Sequence, residues 1–271
     1  MSATEMKCAA GLAYREAVPA GEPQGTLLCV HGYPESSHMW SAVLPAAAAA
    51  GWRALAPDLP GFGDSPLAGG DGSWERHVAA LAAFHAELDL GAVALAVHDW
   101  GGLIGLRWAC DEPAAIRALS ISDTGFFADG RWSGLGEALR APGQGEELIA
   151  GMSEEGFAGM LGAISKMTPA AIADYWKAYG DDERRAAQLE LYRSGDFEKL
   201  EPYAGRLAAL GVPTLLLWGG DDPFAPVAGA HRFLEEIPGS RLEIVAGTGH
   251  FVFDDAPEET ARILVEFLGT L

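Results

Sequence analysis

The chain has 271 residues, 49% of them hydrophobic, which suits one large domain with a packed core or a domain that carries an insertion. Its 38 acidic and 18 basic side chains give a formal net charge of −20, and such a surface repels phosphate backbones and anionic lipids. Nucleic acids and membrane surfaces are therefore not expected as partners.

Short apolar runs alternate with longer helix-like segments along most of the chain, which is the pattern of a parallel sheet wrapped by helices. The strands are predicted over residues 26–30, 53–57, 93–98, 118–122, 214–218 and 242–245. Helices are predicted over residues 73–88, 101–110 and 257–268. Pro257 suits the first position of the last helix, and the acidic residues that follow it suit the positive end of the helix dipole.

The alternation of strands and helices breaks between residues 125 and 203, a stretch that contains helix formers but no apolar strand. A free linker would not carry so many large apolar rings. The rings are those of Trp132, Phe157, Trp176, Tyr179 and Tyr192. We therefore expect an α/β fold in which residues 1–124 and 204–271 form the core domain and residues 125–203 form an inserted helical cap.

The turn HGYPESSHMW, residues 31–40, directly follows the first predicted strand. Its glycine allows the backbone N–H of Tyr33 to point at a developing oxyanion, and the N–H of Trp100 would be the second donor. His31 is interpreted as a structural residue of the turn.

The segment VALAVHDWGGLIGLRWA, residues 93–109, has the features of a nucleophile elbow, a tight turn between a strand and a helix. Asp99 occupies its centre. A carboxylate is ionised at neutral pH and attacks an alkyl carbon without a base to activate it, which gives an ester that water must cleave. We therefore predict that Asp99 is the nucleophile; the alternative is that it is only a helix N-cap residue.

His250 lies on the loop between the last predicted strand and the last predicted helix, where a general base belongs relative to the elbow. Its acidic partner is predicted to be Asp222, because the chain turns back toward the sheet after the strand that precedes this residue. Asp123, at the tip of the strand over residues 118–122, is the alternative acid.

The three cysteines are scattered and have no CxxC spacing, so they predict neither a disulfide framework nor a zinc site. No phosphate-cradling glycine loop or cluster of metal ligands is evident, and we expect no metal or cofactor. The N-terminal segment lacks a basic stretch followed by an apolar one, and no apolar run reaches the length of about 18 residues that a spanning helix needs. A cytoplasmic protein is therefore expected.

These segments together resemble the α/β-hydrolase superfamily over nearly the whole chain. The resemblance rests on the order of Asp99, an acid and His250, and on HGYP, DLPGFGDS, VHDWGG, WGGDDPFAP and GTGHF. The aspartate nucleophile is typical of the branch that contains epoxide hydrolases and haloalkane dehalogenases. The resemblance implies a hydrolase that forms a covalent alkyl ester and acts on a small apolar organic substrate with water.

An epoxide hydrolase is favoured by the glutamate of HGYPE and by Tyr192, whose spacing from Asp222 resembles that of a cap tyrosine that protonates the epoxide oxygen in that family. An epoxide oxygen leaves as an alkoxide and needs such a proton donor. A second tyrosine normally comes from earlier in the cap. Residues 134–148 contain none, which leaves Tyr175 or Tyr179 as substitutes.

The alternative is a haloalkane dehalogenase, because the segment over residues 93–109 is also similar to dehalogenase elbows. The indole N–H of Trp100 would then bind the departing halide. Tyr33 stands where those enzymes usually carry an asparagine, so a second halide donor must be Trp132 or Trp176. A third hypothesis is a non-catalytic hydrolase-like binding protein, against which the intact pair of Asp99 and His250 argues.

Overall fold

The computed structural model describes residues 4–67, 69 and 71–271, and eight strands within them form one sheet. The strands are β1 (Glu5–Ala9), β2 (Leu12–Ala17), β3 (Thr26–Val30), β4 (Arg53–Pro57), β5 (Val93–His98), β6 (Ile116–Ser122), β7 (Thr214–Gly219) and β8 (Arg241–Val245). Their order in space is β1-β2-β4-β3-β5-β6-β7-β8. The pairs β1–β2 and β2–β4 are antiparallel, and the remaining neighbours are parallel.

Helices cover the sheet and continue beyond its edge. They are α1 (Val43–Ala49), α2 (Trp74–Glu87), α3 (Trp100–Asp111), α4 (Gly134–Arg140), α5 (Gln144–Gly151), α6 (Glu154–Ile164), α7 (Pro169–Trp176), α8 (Asp182–Ser194), α9 (Arg206–Leu210), α10 (Val227–Glu236), α11 (Val252–Asp255) and α12 (Pro257–Leu268). Among residues 4–67, 69 and 71–271, no helix is both long and apolar enough to cross a membrane.

The central strands are apolar because helices cover both faces of the sheet. Every residue of β5 and of β7 is buried. α3 follows β5 directly and packs against it, while α1 and α12 pack together on the sheet. This arrangement fixes the loop between β5 and α3 at the carboxyl edge of the sheet, where parallel α/β folds place their ligands.

The six predicted strands and three predicted helices are confirmed, with bounds that differ by two residues or fewer. Sequence analysis missed β1 and β2. Four of the five residues of β1 are exposed, since it is an edge strand, and its sequence EMKCA therefore lacks the apolar run by which the buried strands are recognised.

The chain between β6 and β7, all of which the structure describes, contains no strand. It forms α4 to α9 together with two 3-10 helices, Lys177–Tyr179 and Phe197–Tyr203. The fold therefore has an inserted helical cap. We propose residues 125–203 as the cap domain and the flanking segments as the core, of which residues 1–3, 68 and 70 lie outside the described residues.

Candidate active site

Asp99 stands between the last residue of β5 and the first residue of α3, with backbone angles of φ 47° and ψ −121°. This region is unfavourable for a residue with a side chain, and such strain is concentrated at functional sites. The turn also requires the two glycines that follow Trp100. A Cβ on Gly101 would clash with the carbonyl oxygen of Val30, and one on Gly102 with the Thr124 side chain. The Asp99 side chain makes no cap hydrogen bond to α3, so N-capping does not explain its presence.

The HGYP turn lies beside the elbow because β3 and β5 are neighbouring parallel strands. The backbone N–H of Tyr33 donates to Asp99 Oδ1 at 2.8 Å. A Cβ on Gly32 would lie 2.5 Å from Asp99 Cβ, so only glycine allows this approach. The other predicted donor, the N–H of Trp100, is at the first position of α3, where a helix provides no acceptor of its own.

His250 contacts both Asp99 and Asp222. Its Nδ1 lies 2.8 Å from Asp222 Oδ2, and its Nε2 lies 3.4 Å from Asp99 Oδ2. Asp222 is fixed in turn, because its Oδ1 accepts hydrogen bonds from the backbone N–H groups of Phe224 and Ala225 at 2.7 and 3.0 Å. The structure thus brings together the three residues that the sequence singled out as nucleophile, base and acid.

Asp123 occupies a different environment from Asp222. Its Oδ1 accepts the Gly219 N–H at 2.9 Å, and its buried Oδ2 has no hydrogen-bond partner among the described residues. Burial raises the pKa of Asp123 well above its usual value, and the charge of Asp222 raises it further. The environment of Asp123 therefore disfavours its charged form, whereas Asp222 makes the contact with His250.

The interaction between His250 and Asp99 stabilises the charged form of each side chain. Burial disfavours the charged ring, but the hydrogen bonds with Asp222 and Asp99 outweigh it and raise the pKa of His250 well above its usual value. Burial likewise disfavours the charged form of Asp99, but the hydrogen bond with His250 outweighs it and the pKa of Asp99 is lowered. Each of the two groups thus stabilises the charged form of the other, and the carboxylate form of Asp99 is the one that can attack carbon.

His98 and Glu35 form a buried pair behind the elbow that sequence analysis missed. His98 Nδ1 lies 2.7 Å from Glu35 Oε2, and both side chains are fully buried. His98 Nε2 donates to the backbone carbonyl of His250 at 2.8 Å. Burial opposes the charge of the ring, but the carboxylate of Glu35 outweighs it and raises the pKa of His98 to about 9. The signals in the sequence are His98 at the end of an apolar strand and the glutamate of HGYPE, but nothing in the pattern pairs the two.

Tyr192, on α8, reaches the site from the cap. Its ring makes edge contacts with Tyr33 and Trp100, at centroid distances of 5.0 and 5.3 Å. Burial raises the pKa of Tyr192 well above its usual value, and the negative charge of Asp99 adds to this effect. The hydroxyl therefore keeps its proton at neutral pH and can act as a donor.

The two substitutes for a second tyrosine differ in position. The Tyr179 hydroxyl lies 2.5 Å from the Tyr33 hydroxyl, and both rings line the same cavity. The Tyr175 hydroxyl instead donates to Asp254 Oδ2 at 2.9 Å, away from that cavity. Only Tyr179 is therefore placed to contact a substrate.

The two tryptophans considered as halide donors also differ. Trp132 stacks on Trp100 with a centroid distance of 5.3 Å and lines a cavity at Asp99. Trp176 stacks on Tyr179 at the same centroid distance and lines neither cavity at Asp99. Among the described side chains, no group of three or more His, Cys, Asp or Glu residues is placed to hold a metal ion.

Comparison with known proteins places these features in context. The sequence matches the model of the Alpha/beta hydrolase family over residues 27–263. A haloalkane dehalogenase from Psychrobacter cryohalolentis is 30% identical over 255 residues, which cover 89% of this chain and 82% of that protein. The fold is similar to that of a haloalkane dehalogenase from Bradyrhizobium elkani (TM-score 0.82, 22% identity, 100% of this chain and 98% of that one). It is also similar to an epoxide hydrolase from an endophytic Streptomyces (TM-score 0.78, 25% identity, 99% and 95%).

Proposed function

The chain is a hydrolase of the alpha/beta hydrolase family, in the branch of epoxide hydrolases and haloalkane dehalogenases, and we propose that it opens an epoxide to a vicinal diol. The observation that carries this proposal is the position of Tyr192. Tyr192 lines both cavities at Asp99 and keeps its proton at neutral pH, so it can serve as the donor to the oxygen of an epoxide bound there. The substrate we propose is a small apolar epoxide, and water is the second reactant.

In the first half-reaction, Asp99 Oδ2 attacks an epoxide carbon while the N–H of Tyr33 holds Oδ1. The carbon–oxygen bond of the ring breaks, and the departing oxygen takes the proton of Tyr192. The products are an alkyl ester on Asp99, a new hydroxyl group on the substrate and a tyrosinate. Proton donation of this kind typically accelerates a reaction by about 10²–10⁴-fold.

Formation of the ester prepares His250 for the second half-reaction. The charge of Asp99 is one of the causes that raise the pKa of His250, and esterification removes that charge. The imidazolium of His250 can then give its proton to the tyrosinate, which restores the neutral Tyr192, since both residues line the same cavities. A neutral base is thus produced at the stage where a base is needed.

Water then cleaves the ester. Neutral His250 removes a proton from water, and the hydroxide attacks the Asp99 carboxyl carbon. The ester bond then breaks, the leaving oxygen takes the proton of the former hydroxide, and the products are the diol and the carboxylate of Asp99. The backbone N–H groups of Tyr33 and Trp100 stabilise the intermediate oxyanion, and Asp222 stabilises the imidazolium that forms again.

Haloalkane dehalogenase activity is the second candidate, and the stacked pair of Trp100 and Trp132 beside Asp99 favours it. A halide leaves as a weak base and requires only N–H contacts. The same Asp99, His250 and Asp222 would form and cleave the ester, so the two candidates differ only in how the leaving group is bound.

Two substrates and two variants separate these candidates. The enzyme is incubated with styrene oxide and with a 1-bromoalkane of similar size, and diol and bromide are measured. We expect diol formation that falls by about 10²-fold or more in Tyr192→Phe, which keeps the ring and removes the proton donor. Bromide release, if any, should be unaffected by that variant and reduced in Trp100→Phe.

Rapid bromide release without diol formation would overturn the epoxide hydrolase proposal in favour of the dehalogenase. Turnover of either compound excludes the binding-protein hypothesis. If Tyr192→Phe forms diol at the rate of the wild type, Tyr192 is not the proton donor.

A further inference from the structure

Two cavities in the described part of the chain meet at Asp99. The larger, which we call the cap cavity, has a volume of about 370 Å³ and is lined by apolar side chains of α4, α5 and α6 that include Leu139, Ile149 and Met160. The smaller, which we call the side cavity, has a volume of about 270 Å³ and lies between α3, the loop after β6 and the start of α10. Each volume is comparable with that of a small-molecule pocket.

The residues common to both cavities are those of the reaction centre. Asp99, Tyr192 and His250 line the cap cavity and the side cavity alike, together with Ser133 and Phe224. The electrophilic carbon must contact Asp99 to react. It therefore binds where the two cavities join, and a substituent on either side of that carbon has a separate space to occupy.

The cap cavity and the side cavity differ in the polarity of their lining residues. Exposed Leu135, Leu148 and Ile164 lie at the border of the cap cavity, so its opening to solvent is apolar. The side cavity is smaller, and Thr124 and Arg131 are set among its aromatic rings. A longer apolar substituent suits the cap cavity, and a shorter one suits the side cavity.

We propose that the preferred substrate is an internal epoxide, with carbon substituents on both ring carbons, whose longer arm binds in the cap cavity and whose shorter arm binds in the side cavity. This inference rests on the proposed epoxide hydrolase function and narrows its substrate class. A terminal epoxide has a substituent on one ring carbon only and leaves one cavity without apolar contacts. Each methylene that fills an apolar pocket typically changes kcat/KM by about 10-fold or more.

The test compares two epoxides of equal carbon number, 1,2-epoxyoctane and trans-3,4-epoxyoctane. An unhindered terminal carbon is intrinsically easier to attack, so a preference for the internal epoxide must come from the protein. We expect kcat/KM to be about 10-fold or more higher for the internal epoxide. Equal or higher kcat/KM for the terminal epoxide overturns this inference while the proposed function stands. Absence of diol from both overturns the proposed function and this inference with it.

Variants that narrow the side cavity provide a second test. Ala228 is the second residue of α10 and lines the side cavity. Ala228→Leu should lower kcat/KM for the internal epoxide about 10-fold and leave the terminal one within about 2-fold. Ala170→Leu is the matched control, because Ala170 is the exposed second residue of α7 and lines neither cavity.

Gly125→Leu is an independent variant of the same cavity. A Cβ at Gly125 meets no atom within 4 Å, so the new side chain has room. Gly21→Leu, at an exposed glycine that is equally unobstructed, is its control. Both Ala228→Leu and Gly125→Leu must be correctly folded. If they lower kcat/KM equally for the two epoxides, or lower it for neither, the assignment of the side cavity to the shorter arm is overturned.

Discussion

His98 donates its Nε2–H to the backbone carbonyl oxygen of His250 at 2.8 Å. The residue that precedes the proposed nucleophile therefore holds the loop that carries the proposed base. On the other side of the ring, Glu35 contacts Nδ1 at 2.7 Å, which links this loop to the HGYP turn. The position of His250 relative to Asp99 thus depends on residues that do not reach the cavities.

The nucleophile is tested with Asp99→Ala, which should abolish turnover while the protein remains folded. A single turnover of the wild type in heavy-oxygen water should place the label on the carboxylate of Asp99 and not in the first product, because water attacks the carboxyl carbon of the ester. Mass spectrometry of the peptide and of the diol distinguishes the two. A labelled first product would mean direct attack by water.

His250→Gln should separate the two half-reactions. Attack by Asp99 does not need a base, so the ester should form, but its hydrolysis should be slower by roughly 10²–10⁴-fold. Intact-protein mass spectrometry should therefore detect an accumulating adduct whose mass is that of the enzyme plus the epoxide. The idea fails if no adduct appears with an epoxide that the wild type converts.

The acid is tested by comparing Asp222→Asn with Asp123→Asn. Asp222 contacts His250 Nδ1 at 2.8 Å, so its replacement removes the partner of the imidazolium and should slow ester hydrolysis by up to about 10⁴-fold. Asp123 makes its hydrogen bond with the backbone N–H of Gly219 and not with His250, so Asp123→Asn should slow ester hydrolysis far less than Asp222→Asn. Pre-steady-state measurement of ester decay gives both values, and the reverse order would assign the role to Asp123.

The pair of Glu35 and His98 predicts a specific dependence of stability on pH. The pKa of His98 is raised from 6.5 to about 9, so its stabilising contribution is complete below pH 6.5 and is lost as the pH rises to about 9. Glu35→Gln removes the carboxylate that raises this pKa. The free energy of unfolding should therefore fall more between pH 7 and 9 in the wild type than in Glu35→Gln.

Urea denaturation at both pH values measures this difference. Glu155→Gln is the control, since Glu155 is exposed on α6 and should leave the pH dependence of the wild type unchanged. An identical fall in wild type and Glu35→Gln would show that His98 does not titrate in this range.

The sequence predicted those parts of the fold that depend on local pattern. Buried parallel strands are apolar throughout, so β5 and β7 were evident, whereas the exposed residues of β1 concealed it. The elbow was recognised because an apolar strand, a turn with small residues and a helix follow one another within residues 93–109. The contacts that require Gly101 and Gly102, with Val30 and Thr124, appear only in the structure.

The remaining features depend on where separate loops meet. Whether Asp222 or Asp123 contacts His250 is set by the direction in which two loops leave neighbouring strands, and no residue pattern reports that direction. The pairing of Glu35 with His98 joins residues far apart in the sequence. The cap cavity likewise arises from the packing of α4, α5 and α6 over the sheet.

Tyr33 belongs to both halves of the molecule. Its backbone N–H holds Asp99, and its hydroxyl contacts that of Tyr179 in the cap. Loss of the contact between the hydroxyls would therefore remove the Tyr179 restraint from the residue that orients the carboxylate. The orientation of the proposed nucleophile is thus coupled to the position of the cap.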